Sequence, residues 1–284
     1  MTNEATAVLT PPAPSIAGVN EMLIGGAGSG KTHSVRTLID AGITPFVLFT
    51  EQGMRTLSDV PCPKLHWHYV APRRTPWLAM QEQVKKISSL SFESMAKMSD
   101  PERSKNLQFA DVINTLGNFK CDRCGQVFGD ITTWGTDRAL VLDSLSGVNP
   151  MVLAYVVGDK PVISPGEWMV AQKALYSLIE KITADKRCHF ILIVHPERET
   201  DEVTGGISIM ASTLGKKLAP QLPRLFDDVI FVYREGAKFF WSTAAMNVDL
   251  KSRNLPIAHG QAPSFAAVID AWKKAGGRIE GGAA

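Results

Sequence analysis

Short solid runs of apolar residues alternate along this chain with stretches whose apolar positions recur every three or four residues. The runs read as strands buried on both faces, the periodic stretches as helices with one buried side. Residues 21–24 predict a first strand. A helix over 31–41 follows, with Val35, Leu38 and Ile39 on one face and Gly42 placed to end it. Residues 45–50 predict a buried strand that stops at Glu51, and the alternation of 65–70 predicts a third strand with His66 and His68 opposite Trp67. Residues 138–142 and 190–194 are further apolar strands, ending at Asp143 and His195. Between those two strands Ser164, Pro165 and Glu167 spell a capping box, and Trp168, Ala171, Leu175, Leu178, Ile179 and Ile182 mark one side of the helix it starts. Two strands, 227–233 and 238–242, flank a turn at 234–237, and a last helix covers about 264–274.

Alternating strands and helices imply an α/β fold, a mostly parallel central sheet with helices on both faces. Residues 71–137 break the rhythm and read as an insertion or lid-like excursion, with a helix over 77–98 and a helix start at Asp100, Pro101 and Glu102. The ends, 1–16 and 276–284, read as flexible tails, leaving 17–275 as one domain.

Composition narrows the class. The chain has 284 residues, 45% of them hydrophobic, enough for one large core, and its net charge of +2 implies no general field for polyanions. It has no apolar run of membrane-spanning length and no basic-then-apolar leader, and its four cysteines do not form a secreted disulfide pattern. A cytoplasmic setting is expected.

The sharpest signal is Gly25-Gly26-Ala27-Gly28-Ser29-Gly30-Lys31-Thr32, followed by His33. It lies between a strand and a helix, the context a phosphate-binding loop requires. Glycines let the backbone curl so that successive N–H groups point inward, and the helix start behind adds partial positive charge. Lys31 would reach the outer phosphates and the Thr32 hydroxyl would bind Mg2+, with Asp143 as the second metal-site residue. ATP and Mg2+ are therefore the expected ligands. In open parallel sheets ligands sit beyond the carboxyl ends of the strands, where Glu51, Asp143 and His195 all fall. Ser144, not Glu, follows Asp143, so an activating carboxylate must come from elsewhere, and Glu51 is the candidate.

Gly25 to Thr32, Glu51 after the second strand, the 140–144 segment and Ile193-Val194-His195 together resemble the RecA-like branch of phosphate-loop ATPases, over roughly 22–51 and 138–249. More narrowly, the segments 212–218 and 251–256 resemble phage-encoded RecA-like ATPases, with an AAA-type ATP-binding domain, that act in single-strand annealing or recombination. The resemblance implies Mg-dependent ATP hydrolysis, action on single-stranded DNA and assembly into rings or filaments, in the host cytoplasm if the chain is phage-encoded. It implies a sensor of the terminal phosphate at His195 and a DNA-contacting loop over 196–212. A helicase, loader or packaging motor, and a nucleotide-dependent scaffold with negligible hydrolysis, are the alternatives.

Three other groups stand out. Lys216, Lys217 and Arg224 form either a local DNA patch or a solvated face, since the 196–212 loop is itself rather acidic. Arg253 is either a guanidinium that acts on a phosphoryl group, often across a subunit boundary, or a surface residue. Cys121 and Cys124 followed by Gly125 look like half a zinc site, with Cys62, His66 and His68 as the remaining ligands, or like a thiol or redox pair. Cys188 is expected to be buried.

Overall fold

The computed structural model describes residues 16–98, 105–200, 206–245 and 247–282. The helix start expected at Asp100, Pro101 and Glu102, and all but the last residue of the expected amino-terminal tail, lie outside them. In chain order the strands are β1 (Asn20–Gly25), β2 (Thr44–Phe49), β3 (His66–Tyr69), β4 (Phe119–Lys120), β5 (Val127–Gly129), β6 (Arg138–Asp143), β7 (His189–Val194), β8 (Pro196–Thr200), β9 (Ile207–Ala211), β10 (Asp228–Glu235) and β11 (Lys238–Ser242). Seven of them build the main sheet in the order β11-β10-β1-β7-β6-β2-β3. Every neighbouring pair is parallel except β10 with β11. The α/β fold with a mostly parallel sheet is the one expected.

The helices are α1 (Lys31–Ser34), α2 (Thr37–Asp40), α3 (Trp77–Ser88), α4 (Phe92–Ala96), α5 (Gln108–Gly117), α6 (Leu145–Val157), α7 (Pro165–Asp185) and α8 (Phe265–Lys274). Alternate strand residues feed two cores. Ile24, Phe46, Leu142 and Leu192 face α5, α6 and α7, while Leu23, Val47, Val141 and Ile193 face α1, α2 and α8. Each such side chain, buried completely, contributes about 1.5–3 kcal/mol. The five central strands therefore form a rigid plane that can hold side chains at its carboxyl edge. No helix among the described residues is long and apolar enough to cross a membrane.

Four local expectations are modified. The helix predicted over 31–41 is two short helices. Ser34 and Thr37 hydroxyls donate back to the carbonyls of Lys31 and Ser34, at 2.7 and 2.8 Å, and the Val35 and Arg36 amides bond three residues back. Hydroxyls that compete with the ladder in this way bend helices. Thr37 also accepts the Phe265 N–H at 2.9 Å, which docks the start of α8 on the bend. The helix predicted over 77–98 is also divided, because the Ser91 hydroxyl caps a new start by accepting the Ser94 N–H at 3.2 Å. The 196–212 stretch, expected as a loop, contains the antiparallel pair β8–β9, and its Asp201 and Glu202 lie outside the described residues.

The carboxyl-terminal glycine stretch, expected to be flexible, is pinned as far as residue 282. Thr136 donates its hydroxyl to the Arg278 carbonyl at 2.6 Å and accepts the Glu280 N–H at 2.8 Å. A Cβ on Gly135 would stand 2.1 Å from the Glu280 carbonyl oxygen, so the glycines here serve close backbone approach rather than looseness. Gly135→Ala is expected to destabilise the protein by about 1–3 kcal/mol through overpacking, read as a lower urea midpoint with an unchanged slope.

Candidate nucleotide site

Parallel pairing brings the strand tips level. Phe49 pairs with Asp143, Asp143 with Ile193, and Ile24 with Val194. Gly25, Glu51, Asp143 and His195 thus leave the sheet along one edge, and a cleft of about 500 Å3 opens there. Residues 27–33, Glu51, Gln52, Gly53, Asp143 and His195 line it, with Arg234 and Phe239 from the β10–β11 hairpin.

The loop needs its glycines for distinct reasons. Gly28 and Gly30 hold φ of 71° and 98°, which side chains with a Cβ rarely adopt. A Cβ on Gly25 would stand 2.3 Å from the Val232 carbonyl. Above Gly26 and Gly28 a Cβ would meet nothing within 4 Å, so these two positions border open space. The buried Ser29 hydroxyl has no hydrogen-bond partner. Lys31 turns inward and donates to the carbonyls of Gly25 and Gly26, at 2.5 and 2.9 Å. An open cradle, an orphaned hydroxyl and a lysine satisfied only by its own loop fit a phosphate chain.

Thr32 donates its hydroxyl to Asp143 at 2.6 Å. Asp143 is 6% exposed, and burial pushes its carboxyl up from 3.8 to about 6, against the pull of the Thr32 hydrogen bond and the Lys31 charge. Burial likewise pulls Lys31 down to about 8, against Asp143 and Glu51. A hydroxyl beside a carboxylate whose charge is poorly solvated fits a hydrated divalent cation. Thr50 holds the two strand tips in place, donating to the Ser144 carbonyl at 2.6 Å and accepting the Ser144 N–H at 3.0 Å.

Glu51 and His195 meet across the cleft, Oε2 to Nε2 at 3.3 Å. The hydrogen bond from His195 is the main reason the Glu51 carboxyl lies below its ordinary value, with Ser144 and Lys31 adding to it and burial opposing. The His195 N–H donates to the Ser146 hydroxyl at 3.3 Å, and its carbonyl accepts the Ser212 N–H at 2.8 Å. His195 thus joins the cleft to both ends of the β8–β9 hairpin. His33 lies against Phe239 at the rim, the rings tilted at 32° with centroids 5.7 Å apart.

Arg234 and Phe239 went unassigned in the sequence. Their place follows from Gly25 pairing with Val232, a partnership between strands some 200 residues apart that no local pattern announces. Arg253 lies elsewhere. Its guanidinium donates to Asp227 at 2.6 Å, and Asp228 accepts the N–H groups of Arg253 and Asn254, at 2.7 and 3.0 Å. These acids begin β10, parallel to β1, so Arg253 sits at the amino edge of the sheet, roughly a strand length or 17–20 Å from its own phosphate loop. Arg253 therefore cannot reach a phosphate held in its own loop.

Lys216 pairs with Glu199 at 2.9 Å, Arg224 donates to the Tyr176 hydroxyl at 2.7 Å, and Lys217 is exposed. Cys121 and Cys124 come together with Cys62 and His66, their ligand atoms all within 4.8 Å of one another. His68 turns instead to Asp122, at 2.8 Å. Cys188 is buried, as expected.

Asp143→Asn tests the electrostatics. At pH 7 the wild-type carboxylate is charged in both states, and its folded value is raised from 3.8 to about 6. Folding at pH 7 therefore carries a penalty of about 3 kcal/mol, which fades as pH falls through 6 toward 4. The variant is expected to be more stable than wild type without nucleotide at pH 7, by up to about that much, and the gain should shrink in urea titrations at lower pH.

The model of one family, AAA_24, described as an AAA domain, matches residues 17–258. No curated protein matches the sequence. Among solved structures, an ATPase of the type III secretion system of pathogenic bacteria is 13% identical, with a TM-score of 0.37 over 77% of this chain and 53% of its own. The type III secretion ATPase EscN of enteropathogenic E. coli is 12% identical, with a TM-score of 0.36 over 76% and 43%. The flagellar accessory protein FlaH of Methanocaldococcus jannaschii is 9% identical, with a TM-score of 0.33 over 87% and 84%. The chain spans about half the length of the two secretion ATPases. With most of its length covered by the family match, this protein belongs to the AAA_24 family of AAA domains.

Proposed function

We propose that this AAA-type phosphate-loop ATPase domain binds ATP with Mg2+, hydrolyses it, and acts as a ring or filament on single-stranded DNA, in phage recombination or replication. The observation that carries the nucleotide reading is the meeting of Lys31, Thr32, Asp143, Glu51 and His195 in one cleft at the carboxyl edge of the sheet. The DNA reading rests on the family resemblance of the sequence and on the continuity of His195 with the β8–β9 hairpin.

Each residue has a physical task. The amides of residues 26–32 and the Lys31 ammonium hold the phosphate chain, and Lys31 exchanges its two carbonyl partners for phosphate oxygens. Thr32 and Asp143 hold the cation, whose charge compensates for the burial of the carboxylate. Bound Mg2+ supplies electrostatic stabilisation of the phosphate oxygens. The His195 hydrogen bond further favours the ionised form of Glu51, which orients the attacking water as a hydrogen-bond acceptor. Loss of the terminal phosphate changes what Glu51 and His195 bond to, and the hairpin that starts at Pro196 registers that change. Bound DNA displaces the internal partner Glu199 from Lys216.

ATP turnover measured without DNA, with single-stranded DNA and with duplex DNA tests the proposal, alongside the mass of the assembly. Single-stranded DNA is expected to stimulate the wild type most. Lys31→Ala should lose nucleotide binding. Glu51→Gln should keep it while turnover falls by about 100-fold or more. Full turnover in Glu51→Gln would remove Glu51 from catalysis, and a rate indifferent to DNA in a protein that hydrolyses ATP would remove the DNA partner alone.

A further inference from the structure

We propose that Cys62, His66, Cys121 and Cys124 hold a structural zinc ion that staples the 71–137 excursion to the edge of the main sheet. The four ligand atoms lie within 4.8 Å of one another, and three of their separations match the edges of a zinc tetrahedron. Cys62 Sγ stands 3.7 Å from Cys121 Sγ and 3.5 Å from His66 Nδ1, and Cys124 Sγ stands 3.8 Å from His66 Nδ1. Bonds of about 2.3 Å to sulfur and 2.05 Å to nitrogen make the edges of a zinc tetrahedron about 3.8 Å between sulfurs and about 3.6 Å between sulfur and nitrogen. A disulfide needs about 2.05 Å between its sulfurs, so the cluster is spaced for a shared cation rather than for a bond between two of its members.

The backbone supports the same conclusion. The Cys121 N–H donates to the Gln126 carbonyl and the Gly125 N–H to the Cys121 carbonyl, both at 2.9 Å. Gly125 takes φ of 73°, which closes the turn between β4 and β5 and leaves both sulfurs on one side. His66 is held at ring-centroid distances of 4.9 Å from Phe46 and 4.4 Å from Phe128, which fixes the direction of Nδ1. Three thiolates and one imidazole are a soft set that selects zinc over Mg2+ or Ca2+. Four protein ligands leave no open position, which makes the centre structural rather than catalytic. With three thiolates the filled centre carries one net negative charge, and Arg123 and Arg138 lie close enough to act on His66 electrostatically.

The centre joins stretches that are far apart in sequence. Cys62 lies in the approach to β3, the edge strand, and His66 opens that strand, while Cys121 and Cys124 sit at the tip of the β4–β5 hairpin. Asp122 forms a second attachment beside it, with its N–H on the Trp67 carbonyl and its carboxylate on the Tyr69 N–H and His68. Together they cover the β3 edge, which would otherwise be open to pairing with another chain. His66 pairs with Phe46, toward the start of β2, so this metal is remote from the proposed Mg2+ site at the other end of the strands.

The test uses the full chain, purified without chelator. Elemental analysis is expected to find about one zinc per chain, and exchange for Co2+ should produce the visible and near-ultraviolet bands of tetrahedral thiolate-bound cobalt. Cys62→Ser and Cys124→Ser should reduce zinc to near zero, while His68→Ala and Cys188→Ser keep it. Stripping the metal with a strong chelator should lower the melting temperature and expose residues 105–130 to protease. A folded wild type that contains no zinc, takes up none and melts at the same temperature with and without it would overturn the proposal. So would full zinc retention in Cys62→Ser and Cys124→Ser, or a native disulfide among Cys62, Cys121 and Cys124. Should the serine variants fail to fold, the cobalt spectrum of the wild type decides alone.

Discussion

A carboxylate that the fold buries is the constraint on which the nucleotide cleft depends. Asp143 ends the interior strand β6 and cannot move away from its neighbours, because β2 pairs along the whole strand and β7 from Ala139 onward. The Thr32 hydroxyl and the Lys31 ammonium, with a smaller pull from His195, offset its charge incompletely, since its carboxyl remains raised to about 6. Lys31 is caught in the reverse situation, pulled down to about 8 by the same burial. A folded state that leaves both charges under-solvated is poised for a ligand carrying the missing counterparts, phosphate oxygens for Lys31 and a divalent cation for Asp143. Strain of this kind is tolerable because the two apolar cores clamp the strands beneath it.

The parallel sheet converts that local arrangement into a site with several members. Residues 25, 51, 143 and 195 are far apart in the chain, yet parallel register places all of them at the same edge. Side chains from a different class of connection complete the cleft. The β10–β11 hairpin folds back over the phosphate loop, bringing Phe239 against Gly30 and His33. The opposite edge carries its own polar network, in which Asp228 gathers backbone amides of residues 253–255 and burial beside Asp228 holds the Glu21 carboxyl well above its ordinary range. That network ties the 251–256 segment to the base of β10, so its job within a single chain is to secure the sheet.

The excursion obeys a different logic. Between β3 and β6 it carries α3, α4, α5 and the β4–β5 hairpin, and α3 leaves Trp77 and Leu78 largely exposed. What holds its later half is an aromatic cluster of Phe119, Phe128 and Trp134 on Phe46, together with the Asp122 contacts to the edge strand and the sulfur and imidazole groups beside them. A segment with a small core of its own gains most from such ties, because they remove conformations from the unfolded chain at low cost in packing.

Much of this was determined by the sequence alone. Solid apolar runs identify strands covered on both faces, since only such strands lack a polar side. Gly25 to Thr32 identifies the phosphate loop, since few other residues permit its φ angles, and strand-end positions pick out Glu51, Asp143 and His195. The Ser164–Glu167 capping box is equally local, and it forms as written. Tertiary structure decided what depends on contacts between remote segments. The bend between α1 and α2 follows from the Ser34 and Thr37 hydroxyls, and Thr37 also holds the start of α8. The order of the glycine-rich end follows from its approach to Gly135, and the place of Arg234 and Phe239 from the pairing of β1 with β10. Cys62 and His66 rather than His68 join the cysteine pair because Asp122 claims His68. Local patterns report what a residue can do within one turn or one pleat, whereas partners distant along the chain are chosen by the packing of the whole.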